Sequence, residues 1–589
     1  MSVNSQTVEE TARSSDRSLA HQAVPVRWAS RVGDAVWYRR IVIGLLALAV
    51  LAPIALLVYQ SFLDNPFFQA NAKLSFSAYS YVLSDRAFYE ALRTTLVVSA
   101  GITVLAVPCG AVLAFLLNRT DLKGKSIFEI IVLVPMFISA IVLAFGYTVS
   151  IGPAGFLSLL VKGQIGRVPW DIYTVSGIVL VGAASHIPYA YLYVSAAMRN
   201  LPSDLEEAAR TAGASVWRVL WDVTLPLVFP ALVFVTALNL LLGFEMFGLP
   251  LILGDPKGIT VLTTYILKLS TLFGVPVFQM MAVVALVIVL LTLPMVFLQR
   301  HLLRNSRRYA AIGGKGSRAT PLRLSTTSQV VAIAFICLWI FFAVVLPVGG
   351  IVLRTFVNAW GVGVNVFQHL TLAHIAGLLN VPSLKRGVID TILLSTVGAG
   401  LAVCIYMAIG LAGHRNRGAS NVVLDYMILL PRAIPGLIIG LAFYWLFLFI
   451  PFLQSLRQTL VSIFIAYTIV GLSYGFRLLQ SLLLQISPEL EESARTTGAT
   501  IGQTWRDVII PITKPGLFGA WILIMMLFIR DYATGVYLLT SGTEVIGSLM
   551  ISLLATGAMD TIVALAFVSI VLTAVALGLA IKLGVKVDA

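Results

Sequence analysis

The stretch DLEEAARTAGASVWRVLWDVTLPLVFPAL runs from Asp204 to Leu232, and ELEESARTTGATIGQTWRDVIIPITKPGL runs from Glu489 to Leu517, 285 residues later. Thirteen of the 29 aligned positions are identical. Each copy opens as a polar island between long apolar stretches, which makes it a soluble loop of a membrane protein, kept in duplicate. Two matched loops on one side of a bilayer fit a partner that offers two equivalent docking sites, a homodimer or a close heterodimer.

Composition places the rest of the chain in a membrane. Of 589 residues, 59% are hydrophobic and 11% charged, and the mean hydropathy is +0.95. A soluble surface needs roughly a quarter charged residues, so the chain is polytopic. Apolar windows of about 20 residues, enough to span a ~30 Å hydrocarbon core, start near Ile41, Thr94, Ile127, Val175, Leu227, Val277, Val330, Ile389, Met427, Leu460, Thr513 and Thr561. The expected fold is all-α, with twelve transmembrane helices as two six-helix halves. The expected divisions are a cytoplasmic tail over 1–40, a first half over 41–303, a cytoplasmic linker over 304–328 and a second half over 329–589.

The net charge of +14 follows topology. Arg27, Arg31, Arg39 and Arg40 precede the first window, Arg119, Lys123 and Lys125 follow the second, and Arg300, Arg304, Arg307, Arg308, Lys315, Arg318 and Arg323 join the halves. The short loops of opposite parity are poorer in cations. By the positive-inside rule both termini and both repeated loops are cytoplasmic, and the basic excess does not point to nucleic acid. The N-terminal tail is too long and polar for a cleaved signal peptide and reads as a disordered leader. Cys109, Cys337 and Cys404 are odd in number and lie in apolar windows, implying neither a disulfide framework nor a metal site.

Duplication extends past the loop. At an offset of 296, Thr95, Ser99, Leu105, Ala106 and Val107 align with Thr391, Ser395, Leu401, Ala402 and Val403, and Pro135 and Ile138 with Pro431 and Ile434. A longer external loop in the first half accounts for the change of offset to 285. Six spans are an even number, so the halves enter in the same orientation as parallel repeats. The linker, with Gly313, Gly314, Gly316 and Pro321, reads as flexible.

Within each copy of the loop the chain is expected to form a short helix, a glycine turn and a second short helix. Ser203 and Glu206 have capping-box spacing, and Pro488 after Ser487 suits a first helical position. Leu205, Ala208, Ala209 and Ala212, and in the second copy Leu490, Ser493, Ala494 and Thr497, form a stripe of mostly small residues that permits close approach. Gly213 and Gly498 stand where a left-handed residue ends a helix, and Ser215 and Thr500 can cap the next one. The chain re-enters the membrane at Leu225-Pro226 and Ile510-Pro511. Glu206, Glu207 and Arg210, with Glu491, Glu492 and Arg495, are expected to face a partner.

At these residues the sequence resembles the permeases of type I ATP-binding-cassette importers. Their signature is E-A-A, three residues, G, then about nine residues to a hydrophobic-Pro pair. Here it is Glu207-Ala208-Ala209, Gly213 and Leu225-Pro226, then Glu492-Ser493-Ala494, Gly498 and Ile510-Pro511. The resemblance implies that each loop is a coupling helix seated in a groove of an ATPase subunit, with Glu207 and Glu492 at the interface. It also implies two separate ABC ATPase subunits, a periplasmic substrate-binding protein and residence in a bacterial inner membrane. ATP and Mg would belong to the partners, with no cofactor on this chain. In keeping with that, Gly124-Lys125-Ser126 has Arg119 where a P-loop needs glycine, and Lys315 is followed by Gly316.

Glu245 lies inside the fifth window, and the 285 offset puts Arg530, beside Asp531, at its counterpart. Ionisable residues at such depth default to function, so these three are expected to form a gate or polar constriction, a structural ion pair being the alternative. His186, beside Pro188 and Tyr189, is expected to be a packing residue, and Arg432 and Arg477 are further polar groups near spans. No paired carboxylates or metal-spaced His and Cys suggest catalysis. Gly248-Leu249-Pro250 and Val261-Leu262-Thr263-Thr264-Tyr265 are similar to the ferric iron branch of the family, with 2-aminoethylphosphonate, thiamine and polyamine permeases nearby. An ion-coupled secondary transporter is the competing class.

Overall fold

A hydrocarbon core leaves a backbone no water to bond, so every spanning segment must satisfy its own amides as helix. The computed structural model describes residues 29–199, 201, 203–270, 277–310, 321–361, 364–415 and 419–583, and within them the chain is mostly helical. Among the described residues eleven helices are long and apolar enough to cross a membrane, or up to twelve when one bent pair counts as a span.

The first half is built from α1 (Ala29–Ser61), α2 (Arg86–Arg119), α3 (Lys125–Phe137), α4 (Ala140–Ile151), α5 (Val175–Arg199), the short α6 (Ser203–Thr211), α7 (Leu225–Phe244) and α8 (Phe278–Ala310). The second repeats it with α9 (Thr326–Phe356), α10 (Pro382–Gly413), α11 (Ala419–Leu429), α12 (Gly436–Phe449), α13 (Leu460–Leu484), α14 (Pro488–Thr496), α15 (Ile510–Arg530) and α16 (Met559–Lys582). In the first half α2, α5, α7 and α8 pack together; in the second, α10, α13, α15 and α16 do the same.

The third span of each half is broken, where the sequence suggested continuous windows from Ile127 and Met427. Pro135 precedes a break at extended Ile138 and Ser139. In the second half Pro431 and Pro435 bracket Arg432, and the two arms meet at 106°. Proline removes a donor and disfavours helical geometry in its predecessor, which fits extended Ile434 before Pro435, and side chains bond carbonyls at both breaks, Arg530 to Met136 O and Thr292 to Ala433 O.

The lead helix of each half is exchanged. α1 packs on α10 and α12 of the second half, with the Tyr38 hydroxyl donating to Ala408 O at 2.7 Å and Arg39 Nε to Ala412 O at 2.9 Å. α9 packs on α3, α4 and α5, taking hydrogen bonds from Tyr147 to Phe342 O at 2.8 Å and from Ser150 to Leu346 O at 2.6 Å. Gly146 is required at that crossing: an added Cβ would lie 2.6 Å from Pro347 O.

Two expected divisions shift. The first helix begins at Ala29, inside the tail expected over 1–40; residues 1–28 lie outside the described residues. The linker expected to be flexible over 304–328 continues α8 to Ala310 and, after 311–320, which are also outside the description, docks at Leu322. Leu322 is 2% exposed and exchanges backbone hydrogen bonds with Arg119 O at 2.8 Å and Asp121 N at 3.2 Å.

Candidate functional site

Both repeated loops adopt the same geometry. α6 and α14 each end at a left-handed glycine, Gly213 at φ +86° and Gly498 at φ +97°. Matching closing bonds follow: Gly213 N to Arg210 O and Ala214 N to Ala209 O, then Gly498 N to Arg495 O and Ala499 N to Ala494 O, all between 2.9 and 3.1 Å. Ser215 and Thr500 cap the next turn, accepting from Arg218 N at 3.4 Å and Gln503 N at 3.3 Å. That turn is not a separate helix, as the sequence suggested; it runs through π turns at Leu220–Thr224 and Trp505–Ile509 into α7 and α15. Pro226 and Pro511 explain them. Each lacks the N–H that an α-helix needs one turn on, and an i to i+5 bond from Leu225 N or Ile510 N bridges the gap.

The paired glutamates divide their roles. Glu206 was expected to face outward and to complete a capping box, yet it is 6% exposed and accepts from Thr224 Oγ1 at 2.9 Å. Arg119 at the end of α2 holds it at 3.3 Å, with side chains 5% and 7% exposed. Glu491 turns inward too, accepting from His414 Nε2 at 2.8 Å and from Arg415 Nη2 at 3.1 Å. Arg119 and Arg415 are counterparts at the 296 offset, as Glu206 and Glu491 are at 285. Each arginine also bonds a carbonyl just ahead of its loop helix, Met198 O or Ile486 O, both at 2.7 Å. The fold thus ties each loop helix to the preceding α2 or α10 by an inward ion pair. The neighbours Glu207 and Glu492 stay exposed, as do Ala208 and Ser493, with Ala209 and Ala494 half-buried.

The mid-membrane charges come together differently from the expectation. Glu245 does not meet Arg530 or Asp531; it faces Arg432 from the broken span at 3.4 Å. Arg530 reaches back to the first half, donating to Met136 O at 2.6 Å and to the Tyr189 hydroxyl at 3.2 Å. Asp531 turns to its own loop and accepts from Thr534 N at 3.0 Å and Thr534 Oγ1 at 2.8 Å. These are symmetry-related contacts, since position 245 corresponds to 530 and position 136 to 432. Tyr189 and Tyr474 are also counterparts, and Arg432 Cζ lies 5.0 Å above the Tyr474 ring. His186 bonds Gly182 O at 2.8 Å and Ser185 at 3.1 Å within its own helix, the packing role expected of it. The sequence shows Arg432 as a polar group near a span, but only the fold brings Glu245 to it.

Residues 106–308 and 400–586 both match the family described as binding-protein-dependent transport system inner membrane component. A probable ABC transporter permease protein, y4fN of Sinorhizobium fredii, is 26% identical over 467 residues, covering 77% of this chain and 80% of that one. Two Haemophilus influenzae proteins are similar at comparable length. The putative ferric transport system permease protein FbpB 1 is 21% identical over 471 residues, 79% of this chain and 72% of that one. The Fe(3+)-transport system permease protein FbpB 2 is 25% identical over 457 residues, 77% and 81%. Among solved structures, a chain of a bacterial alginate ABC transporter, 21% identical, covers 49% of this chain and 99% of its own length with a TM-score of 0.40. With the family matched twice in one polypeptide, this chain belongs to the binding-protein-dependent transport system inner membrane components and is a multi-pass permease of an ABC importer.

Proposed function

We propose that the permease carries ferric iron, or a complex of it, into the cytoplasm, driven by two ATPase subunits docked on α6 and α14 and fed by a periplasmic binding protein. The carrying observation is the pair of matched loops, each pinned inward by one glutamate and presenting the next one, Glu207 or Glu492, to the aqueous side. Both termini are cytoplasmic in this reading, and ATP and Mg are held by the partners. Closure of the ATPases draws α6 and α14 together. The Arg119–Glu206 and Arg415–Glu491 ties pass that movement to α2 and α10, and the two halves rock between outward and inward states.

The ferric assignment draws on the FbpB relatives, whose names carry that cargo; 2-aminoethylphosphonate, thiamine and polyamines are the alternatives. ATP-dependent uptake of radiolabelled iron into vesicles carrying the complete transporter tests it. Uptake that competes with none of the alternatives supports iron, whereas uptake of one of them and not of iron replaces the assignment.

A further inference from the structure

We infer that Arg530, with Tyr189 and Tyr474, forms an oxyanion subsite on the transport path, which takes a carboxylate or phosphate group borne by the cargo. This deepens the transport reading above and rests on it.

Position comes first. Met136 lies eleven residues from the start of α3 and Tyr189 ten from the end of α5, which at 1.5 Å per residue is about 15 Å from the cytoplasmic helix ends. Half of a ~30 Å core is the same distance, so the centre is near the midplane. Both halves build it, with Tyr189 and Glu245 from one and Arg432, Tyr474 and Arg530 from the other.

The two guanidiniums differ. Arg432 has Glu245 as counter-ion. Arg530 donates its hydrogen bonds to neutral acceptors, Met136 O and the Tyr189 hydroxyl, while the nearby carboxylate of Asp531 has both oxygens engaged by Thr534. Among the described residues no carboxylate forms an ion pair with Arg530. A guanidinium at this depth is expensive to keep without one. Arg530 nonetheless retains accessible surface, and Tyr474 is 41% exposed although its ring faces Arg432.

Chemistry selects the ligand. A planar guanidinium fork matches carboxylate and phosphate oxygens in pairs, and the phenols add donors. A bare trivalent cation would be repelled by the same charge. Among the described residues no three His, Cys, Asp or Glu side chains gather to hold a metal. On this proposal an oxyanion of the cargo meets Arg530 as it passes.

The test uses the full permease in lipid nanodiscs, with thermal unfolding followed through its ten tryptophans. Citrate and inorganic phosphate are the probes, in separate arms, against chloride at equal ionic strength. Wild type should show a saturable rise in midpoint with one or both probes, the arm that responds naming carboxylate or phosphate, and Arg530→Lys, which keeps the charge but loses the fork, a weaker one. Arg530→Gln should bind about tenfold more weakly or worse. Should that variant not fold, Tyr189→Phe/Tyr474→Phe keeps the guanidinium and should weaken binding about threefold or more. An equal response in chloride, or no loss in either variant, overturns the subsite. Saturable anion binding in a transporter that moves no iron would keep the subsite and remove the ferric assignment; iron uptake with no anion effect would do the reverse.

Discussion

Arg119 Nε lies 3.3 Å from Glu206 Oε1, with both side chains almost fully buried, between the end of a spanning helix and the loop helix it supports. Removing one partner strands the other. Glu206→Ala is predicted to destabilise the permease by about 3 kcal/mol, and Arg119→Met/Glu206→Leu to recover most of that loss. Glu491→Ala should cost about 1 kcal/mol, because Arg415 is 39% exposed and water screens the pair. Unfolding midpoints of the four proteins in nanodiscs check the ranking; equal losses in the two loops would contradict it.

Gly213 and Gly498 are predicted to set the angle at which each loop helix is presented. A Cβ added at either meets nothing within 4 Å, so only the positive φ opposes substitution. Alanine at one of these positions should cost about 1 kcal/mol, and asparagine less. Titration of the ATPase onto the Gly213→Ala permease should show affinity lowered about fivefold, with Gly213→Asn nearer wild type. Unchanged affinity would mean the turn has no part in docking.

Much of this was legible beforehand, and the omissions have physical causes. The duplicated loop, the glycine turns and the apolar window lengths needed only spacing and composition. The separate roles of Glu206 and Glu207 did not follow from either, because adjacent residues on a helix differ by 100° and only the packed partner decides which one is inside. A signal existed: Arg119 and Arg415 recur at one offset, and Glu206 and Glu491 at the other. A cation and an anion duplicated together mark a pair. The 285 offset makes Glu245 and Arg530 counterparts, but positions equivalent by a two-fold axis need not touch. Each instead meets the broken third span of the other half. Asp531 carries a local signal, since Thr534 three residues on can engage its carboxylate as a turn.

Glu245 is predicted to act in transport as well as in stability. Glu245→Gln removes the charge facing Arg432, while the guanidinium keeps its place over Tyr474. Uptake should fall by about tenfold or more, and because Arg432 loses its counter-ion the unfolding midpoint should fall too, on the scale of about 3 kcal/mol. Transport unchanged with a large loss of stability would make the pair structural.

The central claim is that the two matched loops receive ATPase subunits, and affinity purification of the tagged permease from its native membrane tests it most directly. Mass spectrometry of what accompanies wild type should identify an ATPase. Glu207→Ala/Glu492→Ala should lose that ATPase while the permease itself stays folded. Well-folded wild type that brings down no ATPase, or a double variant that retains it fully, would contradict the account, the first favouring an ion-coupled transporter and the second a different docking surface.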